Sequence, residues 1–438
     1  MARRQRQPEI HEVTIESMSH EGRGIARING KTVFVFGALE GERVRIRIRQ
    51  RRRKFDQAET IEVLEPASQR VEPRCSAYQV CGGCSLQHLG ADDQVEFKQD
   101  MLLEMFEHAG VAYDELLPPL RGPEWGYRNK ARLGVKHVPK KDRVLVGFRE
   151  RNSPFIADMQ RCEVLLPQVG HELEGISAMI GRLEARARIP QIEVAADAEN
   201  VQLVFRHLDP LSTHDLDILT DFARSTGFQL QLQPGGPDTV HPLYPEEQKL
   251  ELEPQQDAAL RINFNALDFV QVNREINQKM VAQALELLQL EPDHRVLDLF
   301  CGLGNFTLPM AAVCANVTGV EGDAAMVARA RASARSNGLD NTDYHVANLA
   351  EPDSAWPWMR ERYDRILLDP PRSGAQEIAE LLASFGARRV VYVSCQPSSL
   401  VRDAAIISSQ GYRMTHVGVM DMFPQTAHIE SMAVFTAD

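Results

Sequence analysis

YRMTHVGVMDMFPQTAHIESMAVFTA, residues 412–437, decides the fold. Two apolar stretches, YRMTHVGVMDMF and HIESMAVFTA, flank a short turn. Parallel neighbours in a sheet need a crossover of a dozen or more residues, so the two must form an antiparallel hairpin. Upstream the pattern is different. RVLDLF, ANVTGV, TDYHVAN, DRILLD and RVVYVSC alternate with helical stretches starting near Asn305, Asp323, Gln376 and 398, which predicts a doubly wound parallel sheet. REINQKMVAQALELLQL (274–290) leads in as a helix with Ile276, Met280, Ala284 and Leu288 on one stripe.

A parallel sheet closed by such a hairpin is the Rossmann-like seven-stranded methyltransferase arrangement, an α/β fold, expected over 266–438. VLDLFCGLGNFTLPMA (296–311) supplies its glycine turn: Gly302 and Gly304 admit a ligand to the backbone, and a helix N-terminus follows. A dinucleotide fingerprint would put a third glycine at 307, where this chain has Thr307. Glu321 closes the second strand, where a carboxylate can hold ribose hydroxyls. S-adenosylmethionine fits this turn better than a pyrophosphate does.

LLDPPRSG (367–374) ends the fourth strand and VVYVSC (390–395) the fifth. Methyltransferases acting on exocyclic amines place an aromatic ring after Asp/Asn-Pro-Pro; Arg372 stands there instead, which argues against amine chemistry. Cys395 offers an alternative. Carbon 5 of uracil is a feeble nucleophile, but a thiolate adding to carbon 6 turns it into an enolate carbon that can take a methyl group. A base must then remove the C5 proton so that the thiol can leave. Glu430, an isolated acid beside His428 in an apolar hairpin, is the candidate; read alone it would pass for a surface residue of an edge strand.

DPPRSG, VYVSC and MDMFPQTAHIE, in that order, resemble the RNA (uracil-5-)-methyltransferase family, and the resemblance spans essentially the whole chain. It implies Cys395 as nucleophile, Glu430 as base, and S-adenosylmethionine contacts at Gln271, Phe300, Asn305, Glu321, Asn348 and Asp369. The family pattern SCNPxT departs here at Gln396 and Ser399, both still able to hydrogen-bond.

The remainder reads as two further units. Over 1–68, five short glycine-punctuated strands (HEVTIESMS, GRGIARING, KTVFVFGAL, ERVRIRIRQ, AETIEVLE) predict an N-terminal OB-like β-barrel. Residues 1–74 hold 16 basic against 11 acidic side chains, while the rest of the chain holds 33 against 50. RVRIRIRQRRRK (43–54), with seven Arg and one Lys, makes this basic head a candidate for meeting a polyanion; the plainer reading is a solvated charged face. Over 69–265 a mixed α+β central domain is expected. It includes a helix over 94–110, a surface loop at LQPGGPDTVHPLYPEEQ (232–248), and YRNKARLGV (127–135), which resembles the family's RNA-binding region.

Cys75, Cys81 and Cys84 follow a C-x5-C-x2-C spacing, with Cys162 distant, and spacing leaves tetrahedral zinc and a [4Fe–4S] cluster both open. A reducing cytosol disfavours disulfides. The family resemblance implies the [4Fe–4S] cluster with these four as ligands. GRGIAR…GKTVFVFGALEGERV resembles a TRAM domain, and a TRAM-like head together with the cysteines resembles the branch that modifies 23S ribosomal RNA. The expected function is S-adenosylmethionine-dependent methylation of carbon 5 of one uridine in that RNA. The alternatives are another ribosomal or transfer RNA uridine, or a catalytically silent RNA-binding factor, which intact Cys395 and Glu430 disfavour. No apolar run is long enough to span a membrane, and MARRQRQPE is followed by no apolar leader. A cytoplasmic monomer is expected.

Overall fold

The computed structural model describes residues 9–255 and 259–437, so the basic residues before position 9 lie outside the described residues. Three large sheets organise the chain. The first has six strands in the order Ile10–Thr14, Arg43–Arg51, Phe55–Glu65, Lys31–Phe36, Gly24–Ile28, Ser17–Met18. It wraps a small core of Ile15, Ala26, Val33, Val35, Ala38, Val44, Ile46 and Ala58. Alternation explains the arrangement: Val44 and Ile46 are buried while Arg43, Gln50 and Arg51 are exposed. The first expected strand is two, Ile10–Thr14 and Ser17–Met18, parted where the chain turns at Ile15 and Glu16.

The second sheet runs His241–Tyr244, Gln229–Gln233, Val201–Arg206, Gln191–Ala196, Lys130–Val138, Arg143–Gly147. Its core also takes in Cys75, Cys81, Cys84 and Cys162. The segment read as a surface loop is partly ordered: His241–Tyr244 is an edge strand, with Pro242 opposite Gln231 at a register shift. Proline is tolerated there because an edge strand has a side with no ladder to serve.

The third sheet has eight strands, in the order Thr342–Val346, Asn316–Glu321, Arg295–Leu299, Arg365–Leu368, Arg389–Ser394, Glu430–Ala437, Tyr412–Met420, Glu115–Leu116. The first five are parallel, and Glu430–Ala437 runs antiparallel to both its neighbours. Seven strands match the sequence expectation. The eighth, Glu115–Leu116, is added parallel to Tyr412–Met420 from a segment read as part of the 69–265 unit. The Ala91–Ala109 helix makes the same crossing: Val95, Leu102 and Phe106 join Leu400, Val401, Val417 and Val419 in one core. Residues 91–120 therefore pack with the third sheet, because the apolar stripe of that helix is buried there.

Candidate active site and cysteine cavity

The parallel strands deliver their C-terminal ends to one edge. After Arg295–Leu299 the chain turns through Phe300 at φ 65°, a left-handed conformation rare for an aromatic residue and common at ligand-binding turns. Gly302 and Gly304 follow at φ 55° and 93°; a Cβ on Gly304 would come within 2.5 Å of Leu308. Gly302 N–H donates to Glu321 Oε2 at 3.2 Å, and Asp323 N–H to Glu321 Oε1 at 3.0 Å, so the carboxylate is oriented by backbone. Thr307 has its own task in place of a third glycine. Its hydroxyl donates to Asp298, a wholly buried carboxyl whose pKa burial pushes up to about 8. Asn305 exchanges two amide hydrogen bonds with Asn277, at 3.0 and 2.8 Å. Asn277, buried on the apolar stripe of Arg274–Leu288, escaped the sequence reading, although a lone amide on such a stripe is the available signal. Asp369 closes Arg365–Leu368, and burial raises its carboxyl to about 7. Gln271 is half-buried just before this helix, and Asn348 is exposed in the turn after Thr342–Val346, where its Oδ1 accepts from Ala350 N–H.

Cys395 follows Arg389–Ser394 directly, half-buried ahead of the Pro397–Ser409 helix. Ser394 pairs with Ser431, so continuing the register places Cys395 opposite Glu430. On its other side Glu430 pairs with Met420. Glu430, which read alone would pass for a surface residue, is thus buried beside the thiol, 7% exposed, in a strand paired on both sides. Burial, then Asp369, raises Glu430 well above the carboxylate range, and Arg372 and Lys98 pull the other way. Burial, Glu430 and Asp369 likewise push Cys395 up to about 11, against Arg372. His428, pushed down chiefly by burial, lines the same mouth. This cavity of about 390 Å³ runs from Cys395 past Cys84 to Arg23 and Phe36 of the first sheet.

Cys75, Cys81, Cys84 and Cys162 line a second cavity of about 190 Å³. All are buried, and burial raises every thiol, Cys84 to about 12 and Cys162 to about 11. Among the described residues, the one group of potential ligands gathered within 4.8 Å is Glu291, Asp293 and His294, so the sulfurs are spread more widely than that. A tetrahedral zinc with bonds of about 2.3 Å would hold its thiolates roughly 3.8 Å apart. Arg151 staples this loop, donating to the carbonyls of Cys81 at 2.9 Å and Cys84 at 2.8 Å while lying 3.4 Å over the Phe36 ring. Ser85 and Leu86 donate their N–H groups to Gln425 O at 2.9 and 3.0 Å, and Ala427 N–H donates to Ser85 Oγ at 2.9 Å. The cysteine loop is therefore hydrogen-bonded to the loop that precedes Glu430.

The family model described as tRNA (Uracil-5-)-methyltransferase matches residues 204–437, and that of the TRAM domain matches 4–61. The chain is 49% identical to a protein of Alcanivorax borkumensis over 99% of both chains. It is 52% identical to one of Alkalilimnicola ehrlichii over 99% of this chain and 98% of that one. Both relatives are named 23S rRNA (uracil(1939)-C(5))-methyltransferase RlmD. The chain belongs to the RNA (uracil-5-)-methyltransferase family. A solved structure, Pyrococcus abyssi tRNA (uracil-54, C5)-methyltransferase with S-adenosyl-L-homocysteine, shares its fold at TM-score 0.73 and 21% identity, covering 97% of this chain and 100% of that one.

In this methyltransferase the basic strand of the TRAM region is largely neutralised within its own sheet. Arg43 pairs with Glu65, Arg45 with Glu12 and Glu62, Arg47 and Arg49 with Glu59, and Arg51 with Glu9 and Asp56. These five arginines lie on a solvated face, each within reach of a neighbouring carboxylate. Arg52, Arg53 and Lys54 at the next turn are exposed and make no ion pair among the described residues.

Proposed function

We propose that this chain methylates carbon 5 of uridine 1939 of 23S ribosomal RNA, the position in the names of its half-identical relatives, working as a cytoplasmic monomer. What carries the reading is the juxtaposition of a thiol and a buried carboxyl across one strand pair, at the edge where the glycine turn ends. S-adenosylmethionine, when bound, supplies an electrophilic methyl group. Gln271, Phe300, Asn305, Glu321, Asn348 and Asp369 would hold it. Cys395 thiolate forms a bond to C6 and shifts the C5–C6 electron pair to C5, which takes up the methyl group. Glu430 carboxylate then removes the C5 proton. The C–H electrons restore the C5–C6 double bond, and the C6–S bond breaks to return the thiolate. A uridine inside folded RNA must be unstacked to reach Cys395, which lines the cavity shared with the cysteine loop and the TRAM region.

Cys75, Cys81, Cys84 and Cys162 would hold a [4Fe–4S] cluster. Four sulfurs spaced around one cavity suit a cube, which spreads its thiolates over its corners, better than one zinc ion. The loop carrying Cys81 and Cys84 is bonded to Arg151 and Gln425, and the cluster's role would be architectural or RNA-facing, since methyl transfer needs no electrons.

RNA carrying 5-fluorouridine tests the mechanism, because fluorine cannot leave as a proton. The protein should be trapped as a methylated covalent adduct on gels, and Cys395→Ala should form none. Methylation by Cys395→Ala would remove the nucleophile. Glu430→Gln should accumulate the adduct on ordinary RNA, and rapid turnover there would remove the base.

A further inference from the structure

Helix Ala91–Ala109 buries Val95, Leu102 and Phe106, and on the same face it buries a lysine. Lys98 is 1% exposed. Its ammonium lies 2.5 Å from Asp421 Oδ1 and donates to the carbonyl of Phe423 at 3.1 Å. Taking two charges out of water costs about as much as their attraction returns, so stability alone does not account for this pair where two apolar side chains would serve. Its position does. Asp421 follows Met420, the cross-strand partner of Glu430. One turn earlier on the same helix, Gln94 donates to Gln425 Oε1 at 3.1 Å and accepts from Gln425 N–H at 2.8 Å. The helix thus grips the loop that joins the two hairpin strands at both Asp421 and Gln425. Gln425 itself sits at φ 68°, a conformation that needs such holding.

The charged and titratable groups facing Glu430 come from each element around it. Asp369 and Arg372 follow the Arg365–Leu368 strand, Cys395 follows Arg389–Ser394, and His428 lies on its own loop. Lys98 reaches in from the helix, with Asp421 of the opposite hairpin arm as its own partner. Lys98 is the one buried ammonium in this set.

We propose that Lys98 is the positioning residue for Glu430: anchored by Asp421 and Phe423, it fixes the hairpin that carries the carboxyl assigned to take the C5 proton. This rests on Glu430 being the base. Lys98 then governs release of methylated RNA, while formation of the adduct belongs to Cys395. Loss of its positive charge leaves Glu430 protonated to higher pH, so the pH at which release accelerates moves upward.

The test is single-turnover kinetics of the full, iron-loaded chain on an RNA fragment bearing the target uridine, following methyl incorporation and adduct decay separately across pH 6–9. Lys98→Met should slow decay by at least about tenfold more than it slows incorporation, with the decay profile displaced to higher pH. Lys98→Arg should recover most of the loss. Should Lys98→Met fail to fold, the neutral pair Lys98→Met/Asp421→Asn is measured, and slow, displaced decay is again expected. The proposal is overturned if both steps slow equally with an unmoved profile, or if the double variant decays at the wild-type rate, which would make Lys98 only the counter-ion of Asp421. Glu430→Gln in parallel separates the two readings. Its rapid turnover would sink the base itself, whereas its stalled adduct beside normal decay in Lys98→Met would sink Lys98 alone.

Discussion

The Arg43–Arg51 strand and the 412–437 hairpin treat charge in opposite ways. On the strand, arginines are dense, open to solvent, and matched by glutamates from neighbouring strands. Around the hairpin's turn, charges are few, buried, and unevenly matched: Glu430 lies beside another acid, Asp369, with Arg372 and Lys98 only partly offsetting them. On this strand dense charge marks a surface that largely neutralises itself, while one acid among apolar neighbours marks a group held under electrostatic stress. Such stress is characteristic of functional sites.

The contrast breaks if the buried side tolerates polar change as readily as the exposed side. The largest effect should come from Cys84→Ser, since Cys84 adjoins the Ser85–Leu86 segment bonded to Gln425. We expect anaerobically purified wild-type chain to be brown, and the variant to lose iron, lower its thermal midpoint and slow turnover, read by iron analysis and melting curves. A colourless, fully active wild-type protein would remove the cluster.

A second measurement sharpens the buried side. Cys395 must be a thiolate to attack, and burial, followed by Glu430 and Asp369, pushes its pKa up to about 11, so the thiolate fraction keeps growing across the neutral range. Adduct formation on 5-fluorouridine RNA should rise with pH from 6 to 9, and Arg372→Gln, which removes the cation opposing that shift, should depress the rate at pH 7.5. A flat profile would contradict the assignment.

The smallest effects belong to the exposed strand. Arg45→Ala should barely change stability, because an exposed ion pair contributes little. Its effect on RNA affinity should also be slight, since Arg45 already serves Glu12 and Glu62. Neutralising Arg52, Arg53 and Lys54 together should reduce the salt dependence of binding more, by up to roughly 0.7 in log–log slope for each RNA phosphate that no longer meets a cation. Equal effects from the two variants would erase the distinction.

What the sequence made legible follows the same division. The hairpin, the glycine turn and the placement of Cys395 and Glu430 at strand ends could be read because each depends on local pattern and on the rule that short connections are antiparallel. Ion pairing of the arginine strand could not, since Glu9, Glu12, Glu59, Glu62 and Glu65 come from other strands and only register brings them opposite. The crossing of residues 91–120 was hidden for a similar reason: an apolar helical stripe tells that a helix is buried, not against which sheet. Thr307 reads as a missing glycine in the sequence, and only the fold sets Asp298 beneath it. Lys98, a lysine at helical spacing from Val95 and Leu102, was available as a signal and went unread.

The seating of Ser85 and Leu86 on Gln425 has a consequence for how the molecule is made. Translation proceeds from the N-terminus, yet the cysteine loop, the Ala91–Ala109 helix and the Glu115–Leu116 strand all rest on residues between 400 and 427, made far later. Iron can be offered to the early cysteines, but the bed they lie in arrives long after them. The enzyme closes on itself only once the hairpin emerges, and a nascent chain stalled before it would leave three early elements waiting for their support.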